Sequence, residues 1–304
     1  MPSKSKDILT TIVWMALSIA SYLVVVASIR SLSHTMDPSQ TALVRNVIGL
    51  AACLVIASRT PGVASVLRRV SLSQHLGRAI IHAAGGLMLI WSVGNLPLAL
   101  VSTMEFTGPV FGMAIAALVL RERIGATAIN ACLFVVFGIC TIAFLTQQPI
   151  GPSLLVPIAA TGLLTFATLQ MRSMAKEQPI VLIMLMMNAF QIPIYLATGQ
   201  MTGWRDLTGV NWLDIAPAIC GLGFAGLATQ ACLAKASRTT SATMMTVIDT
   251  MRIPAVMTLG YAGYGESIDA ALVIGATMVA FGAITISIQG AKSPSTTEQV
   301  AATT

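Results

Sequence analysis

The sequence predicts an all-α integral membrane protein of ten transmembrane helices, built as two inverted five-helix repeats. Three observations carry this. Of 304 residues, 56% are apolar and only 9% are charged, where a soluble domain carries roughly a quarter charged residues. Too few polar groups remain to coat a water-facing surface, and lipid is the solvent that tolerates the rest, provided the backbone is satisfied inside helices or closed barrels. The apolar runs, such as Ile8 to Ser28, are continuous over about 20 residues, the length of a spanning helix, and barrel strands would alternate apolar and polar residues instead. The third observation is an internal repeat, set out below.

The runs place helices at 8–28, 40–58, 78–96, 98–120, 126–146, 153–172, 179–198, 213–233, 240–262 and 268–289. The first follows Lys4 and Lys6, as a signal peptide would, but its length exceeds the roughly 7–15 residues of a signal core, so it is read as the first span. Connections are short, and the third helix passes to the fourth through Asn95-Leu96-Pro97. The polar tail 290–304, rich in Ser and Thr, is expected to be disordered and cytoplasmic.

The net charge of +6 sits mostly in the short connections, where positive charge sets orientation, so no nucleic-acid partner is expected. With the N-terminus inside, cytoplasmic segments hold Lys4, Lys6, Arg59, Arg68, Arg69, Arg78, Arg121, Arg123, Arg172, Lys176, Lys235, Arg238 and Lys292, 13 of the 17 basic residues. Outer segments hold Arg30 and Arg205, and Arg45 and Arg252 fall within helices. This bias predicts a cytoplasmic-membrane protein with both termini inside. Trp204 and Trp212 flank an outer loop as interface anchors.

Two stretches match at an offset of 144 residues: Glu105 with Asp249, Glu122 with Glu266, Ile124 with Ile268, and Phe137-Gly138 with Phe281-Gly282, while Pro109 and Pro254 match after a slip of one. Five helices, an odd number, separate the halves, so equivalent helices run in opposite directions. The repeats are 8–146 and 153–289, and such an arrangement suits alternating access around a midplane site.

Phe106-Thr107-Gly108-Pro109, an apolar run ending Leu120-Arg121-Glu122-Arg123-Ile124-Gly125, and then Phe137-Gly138 resemble the end of an EamA-type repeat. Asp249-Thr250-Met251-Arg252-Ile253-Pro254 followed by Gly265-Glu266 resembles the partner stretch, and Arg45 sits where such repeats commonly carry an arginine. The resemblance is to the drug/metabolite transporter superfamily. It implies ten helices, a central cavity, transport of a small molecule without ATP hydrolysis, and efflux ahead of uptake of a cationic nutrient. Two departures are the missing counterpart of Arg45 in the seventh helix and Arg121 in place of the usual small residue.

Acids inside a membrane are costly unless they face a cavity or a partner, so Glu105 and Asp249 are candidates for binding a cationic or zwitterionic substrate or a coupling proton. Arg252 offers a planar fork for a substrate carboxylate, or pairs with Asp249 three residues earlier on the same helix face. Arg45 reaches toward the headgroup level. Trp14, Tyr22, Trp91, Phe166 and Phe224 are candidate cavity-lining aromatics, able to hold an ammonium by cation–π attraction. Glu122 and Glu266 sit at helix ends and are expected to cap them.

No cofactor or metal is expected. The five cysteines lie in apolar runs without CxxC spacing, as small buried residues do, and His34, His75 and His82 are scattered, with only His82 placed in a helix, near its start. Gly221-Leu222-Gly223-Phe224-Ala225-Gly226 fits GxGxxG, but it lies in an apolar helix without the strand the dinucleotide fingerprint needs, so it is read as close helix packing. No clustered nucleophile, acid–base pair or appended soluble domain points to an enzyme or receptor. The expected partners are lipid and a small-molecule substrate, with protons if Glu105 titrates, in a monomer or weak dimer.

Overall fold

A computed structural model describes residues 2–61, 63, 66, 70–120, 125–145, 151–236, 240 and 242–292. These form α1 (Pro2–Leu32), α2 (Pro38–Arg59), α3 (Leu72–Asn95), α4 (Leu98–Glu105), α5 (Gly108–Leu120), α6 (Ala126–Leu145), a 3₁₀ turn (Gly151–Leu154), α7 (Leu155–Met174), α8 (Ile180–Thr202), α9 (Trp212–Cys220), a π-helical turn (Gly221–Ala225), α10 (Gly226–Ala236), α11 (Ala242–Asp249), α12 (Arg252–Tyr264) and α13 (Ala270–Lys292). No strand occurs among the described residues. Arg68, Arg69, Arg121, Glu122, Arg123, Arg238 and the tail from 293 lie outside them.

Nine helical stretches among the described residues are long and apolar enough to cross a membrane, with α4–α5 and α9–α10 each counted as one. The remaining stretch, α11–α12, is interrupted at Thr250-Met251. Large apolar side chains point outward, Leu118 and Phe144 each being 82% exposed. Water would penalise that surface, and hydrocarbon accepts it. The protein is a multi-pass membrane protein.

Local chemistry sets the helix ends. Asp37 caps α2 in a capping box: its carboxylate accepts from Ser39 N at 2.6 Å and Gln40 N at 3.2 Å, and the Gln40 side chain accepts from Asp37 N at 2.9 Å, with Pro38 in the first turn, where no donor is wanted. Gly265 ends α12 in the left-handed conformation, φ +66°, which glycine adopts without strain.

The longest shared faces are those of α6 with α13, α2 with α8, α3 with α7, and α1 with α9–α10. Exchanging the first five helical stretches for the last five leaves this pattern unchanged. The first two pairs map onto themselves, and α3–α7 maps onto the packing of α9–α10 on α1. The α6–α13 contact repeats the exchange in detail. A Cβ on Gly138 would lie 2.7 Å from the Gly275 carbonyl, and one on Gly282 would lie 2.8 Å from the Ala131 carbonyl. Adding 144 to residues 131 and 138 gives 275 and 282.

The structure departs from the sequence reading at the start of the third helix. Arg78, read as belonging to a connection, lies six residues inside α3 and is 4% exposed, because its Nε donates to the Ala167 carbonyl of α7 at 3.1 Å. The third helix therefore starts at Leu72, and His82 sits near its middle rather than its start.

Candidate functional site

The site begins with two helix interruptions. Proline has no amide hydrogen, so Pro109 cannot donate to the carbonyl of Glu105, nor Pro254 to that of Thr250. Around the first gap the chain tightens to i→i−3 bonds, Phe106 N to Thr103 O at 3.1 Å and Thr107 N to Met104 O at 3.0 Å. Around the second, Met251 N donates to Ile248 O at 3.0 Å and Ile253 N to Thr250 O at 3.1 Å. Each break leaves an acid at the end of its short first helix, Glu105 on α4 and Asp249 on α11. Broken helices of this kind, lined by protein, are how membrane proteins build polar sites away from the interface.

Arg252, the first residue of α12, stands between these acids. Its Nη2 lies 3.4 Å from Asp249 Oδ2 and its Nη1 3.9 Å from Glu105 Oε1. Both are ion pairs too long or too poorly aligned for strong hydrogen bonds, and the buried Arg252 Nε has no hydrogen-bond partner. Tyr22, about two-thirds of the way along α1, donates its hydroxyl to Glu105 Oε2. The guanidinium packs 4.5 Å from the Tyr22 ring centre and 5.0 Å from that of Phe106, a cation–π sandwich worth most when desolvated. The side chains of Glu105, Arg252 and Asp249 are 13%, 16% and 29% exposed, so Asp249 is the member open to a visiting solute. Two acids share one guanidinium, so the acids outnumber the cation in the cluster.

Residues 9–144 match the EamA-like transporter family. That match supports membership of the drug/metabolite transporter superfamily. The matched stretch covers α1 to α6. Among solved proteins, a crystal structure described only as that of a protein is similar with a TM-score of 0.58, at 14% identity, over 93% of this chain and 99% of the other; that likeness concerns the fold. No curated protein is matched by the sequence. A family of membrane transporters implies a small-molecule substrate and a lipid surround.

In this EamA-like protein the structure brings Glu105, Asp249, Arg252 and Tyr22 together, and adds Phe106, which the sequence offered only as part of a motif. The other candidates stand apart from the cluster's contacts. Trp14 is half-buried two turns before Tyr22 on α1, Trp91 packs on the main core from α3, and Phe166 is half-buried on α7. Phe224 is 65% exposed on the π turn, where the glycines serve packing: Gly221 lies against Ser28 and Val24 of α1, and Gly223 against Ile48 of α2.

A second polar group went unread in the sequence. Asn46 of α2 donates to Gln191 of α8 at 2.8 Å, and Gln191 Nε2 meets His82 Nδ1 of α3 at 2.8 Å and the Ala79 carbonyl at 3.3 Å. Arg45 lies beside this group, near Gly86 and Tyr195. His75, also inside α3, is 1% exposed and bonds Gln178 at 2.9 Å.

Glu266 caps a helix, but not its own. Its Oε2 accepts from Leu98 N at the start of α4 at 2.8 Å, and its Oε1 pairs with Arg30 Nη2 of α1 at 2.6 Å. Arg30 Nη1 donates to the Val93 and Leu96 carbonyls at the end of α3, at 2.8 and 3.0 Å. One ion pair thus satisfies both helix ends flanking the α3–α4 turn.

Proposed function

We propose that this protein is a secondary transporter that moves small polar or amphipathic metabolites, amino-acid-like in chemistry, across the cytoplasmic membrane by alternating access. The observation that carries the reading is the pair of acids at two helix breaks, sharing one loosely held arginine. An isolated charge in hydrocarbon is disfavoured, and this group keeps more acids than cations, unspent arginine donors and a partly open Asp249. A substrate ammonium or a proton is the complement it lacks. Glu105 and Asp249 hold that cation, Tyr22 orients Glu105, and Arg252 returns to the acids when the cation leaves.

Two inverted repeats, 8–146 and 153–289, are supported by the helix pairing that survives exchange of the halves and by the reciprocal glycine contacts of α6 and α13. Ten spans follow if α11–α12 crosses as the counterpart of α4–α5. The lysine and arginine distribution supports cytoplasmic termini. Efflux as the working direction rests on the family alone, and the excess of acids over cations at the site equally favours uptake of a cationic nutrient.

Proteoliposome flux over a panel of labelled amino acids, amines and nucleoside-like solutes tests the reading. Flux of at least one class is expected. Binding without flux across the whole panel replaces the transporter with a receptor, and one-way accumulation of amines into vesicles alone selects uptake of a cation.

A further inference from the structure

The acid cluster is answered by a basic one. Helices α2, α3 and α8 carry Arg45, Arg59, His75, Arg78 and His82 and not one acid along their full lengths. Arg59 ends its helix at the membrane edge, and Arg78 and His75 are bound to neighbours of α7 and the turn that follows it. Arg45 differs. Among the described residues it forms no ion pair, and its Nη2 and the Tyr195 hydroxyl both come to rest over Gly86, 3.6 and 3.4 Å from where a Cβ there would stand. Tyr195 is 0% exposed, and its hydroxyl leans on the Arg45 guanidinium with no other hydrogen-bond partner among the described residues. Asn46 and His82 hydrogen-bond Gln191 from either side, which commits both polar atoms of the Gln191 amide. A guanidinium without a counter-charge, beside a buried phenol that has only that guanidinium for a partner among the described residues, is the complement of an anion with several lone pairs.

Depth joins this group to the acid cluster. Arg45 lies seven residues from Pro38, Tyr195 seven from Thr202 and Glu105 seven from Leu98, each roughly 10 Å along its helix. Those three ends share one side of the molecule. Gln40 donates to the Arg205 carbonyl at 2.9 Å, Arg205 to the Ser33 carbonyl at 2.8 Å, and Arg30 spans from α1 to the end of α3 beside Leu98.

We propose that Arg45 and Tyr195 form the subsite for the substrate's carboxylate, and that the transported molecule is a zwitterion whose ammonium goes to Glu105 and Asp249. The subsite rests on the transport reading above and moves the carboxylate away from Arg252, which two acids already neutralise. A solute with both charges completes both clusters at once, whereas an amine leaves Arg45 uncompensated.

The test is exchange by the full-length protein in proteoliposomes. One set of vesicles receives a mixture of labelled proteinogenic L-amino acids, and a parallel set receives the amines made from them by removal of the carboxyl group. Wild type is expected to exchange amino acids faster than amines. R45Q is expected to lose amino-acid exchange by about 10- to 100-fold, the worth of a charged hydrogen-bonded contact, with amine exchange retained in the same preparation as proof of folding. R45K, which keeps the charge without the fork, falls between, and Y195F loses part of the amino-acid exchange. Unchanged amino-acid exchange in R45Q overturns the subsite and leaves transport standing, as does equal loss of both solute classes in R45Q and R45K, or exchange of amines alone by wild type. No exchange of either class by wild type overturns the amino-acid-like transport reading, and the subsite with it.

Discussion

The Arg252 guanidinium lies 4.5 Å from the centre of the Tyr22 ring, and the same tyrosine gives its hydroxyl to Glu105, so one aromatic side chain holds both the cation and one of its two acids. Removing the cation strands two carboxylates in a low-dielectric setting. R252Q is expected to destabilise the protein by about 3–5 kcal/mol, and adding E105Q to it should restore part of the loss, a coupling that thermal melting of the single and double variants in detergent measures. Simple addition of the two losses would mean that the charges do not interact.

Glu266 lies in the turn between α12 and α13, and burial pushes its carboxyl above the usual carboxylate range, against the opposing pull of the Leu98 amide and Arg30. A group whose pKa is raised on folding binds its proton more readily in the folded chain, so its contribution to stability falls as pH rises through the raised value. The melting temperature of wild type relative to E266Q is therefore expected to fall from acid toward neutral pH. E266A, which also loses the cap on Leu98, should cost about 0.5–2 kcal/mol more than E266Q. A wild-type advantage over E266Q that grows toward neutral pH would show that the Arg30 ion pair outweighs burial.

Gly138 rests on the backbone of Gly275, whereas Gly77 of α3 has nothing within 4 Å of the position a Cβ would take. G138A is expected to cost about 1–3 kcal/mol by forcing α6 and α13 apart. G77A should be neutral, or stabilising by up to about 1 kcal/mol through helix propensity. Melting of the two variants side by side checks the pair, and equal effects would mean that α6 and α13 do not pack this closely.

Much of the fold was legible because lipid makes apolar length a direct signal, and the helix described over Ala126–Leu145 starts at the residue expected. Glu105 and Asp249 were legible for another reason: acids stand out in hydrocarbon, and the 144-residue offset pairs them. The stretch Leu72-Ser73-Gln74-His75-Leu76-Gly77-Arg78 looks too polar for a span, yet His75 bonds Gln178 through Nε2 and Arg78 donates to the Ala167 carbonyl, partners about 90 or more residues away that no local pattern announces. Tyr22 stood in the sequence as one of five candidate cavity-lining aromatics, and its hydrogen bond to Glu105, 83 residues away, singles it out in the fold. Arg30 and Glu266, 236 residues apart, meet only because the halves interlock.

Under the proposed function, Glu105 and Asp249 couple solute movement to its driving ion. The most direct measurement is proteoliposome flux of a transported panel solute with and without an imposed pH gradient, in wild type, E105Q and D249N. Wild type is expected to respond to the gradient, E105Q to lose that response, and D249N to lose most of the flux itself. Wild-type flux and an intact gradient response in both variants would make these acids a structural ion cluster and contradict the account.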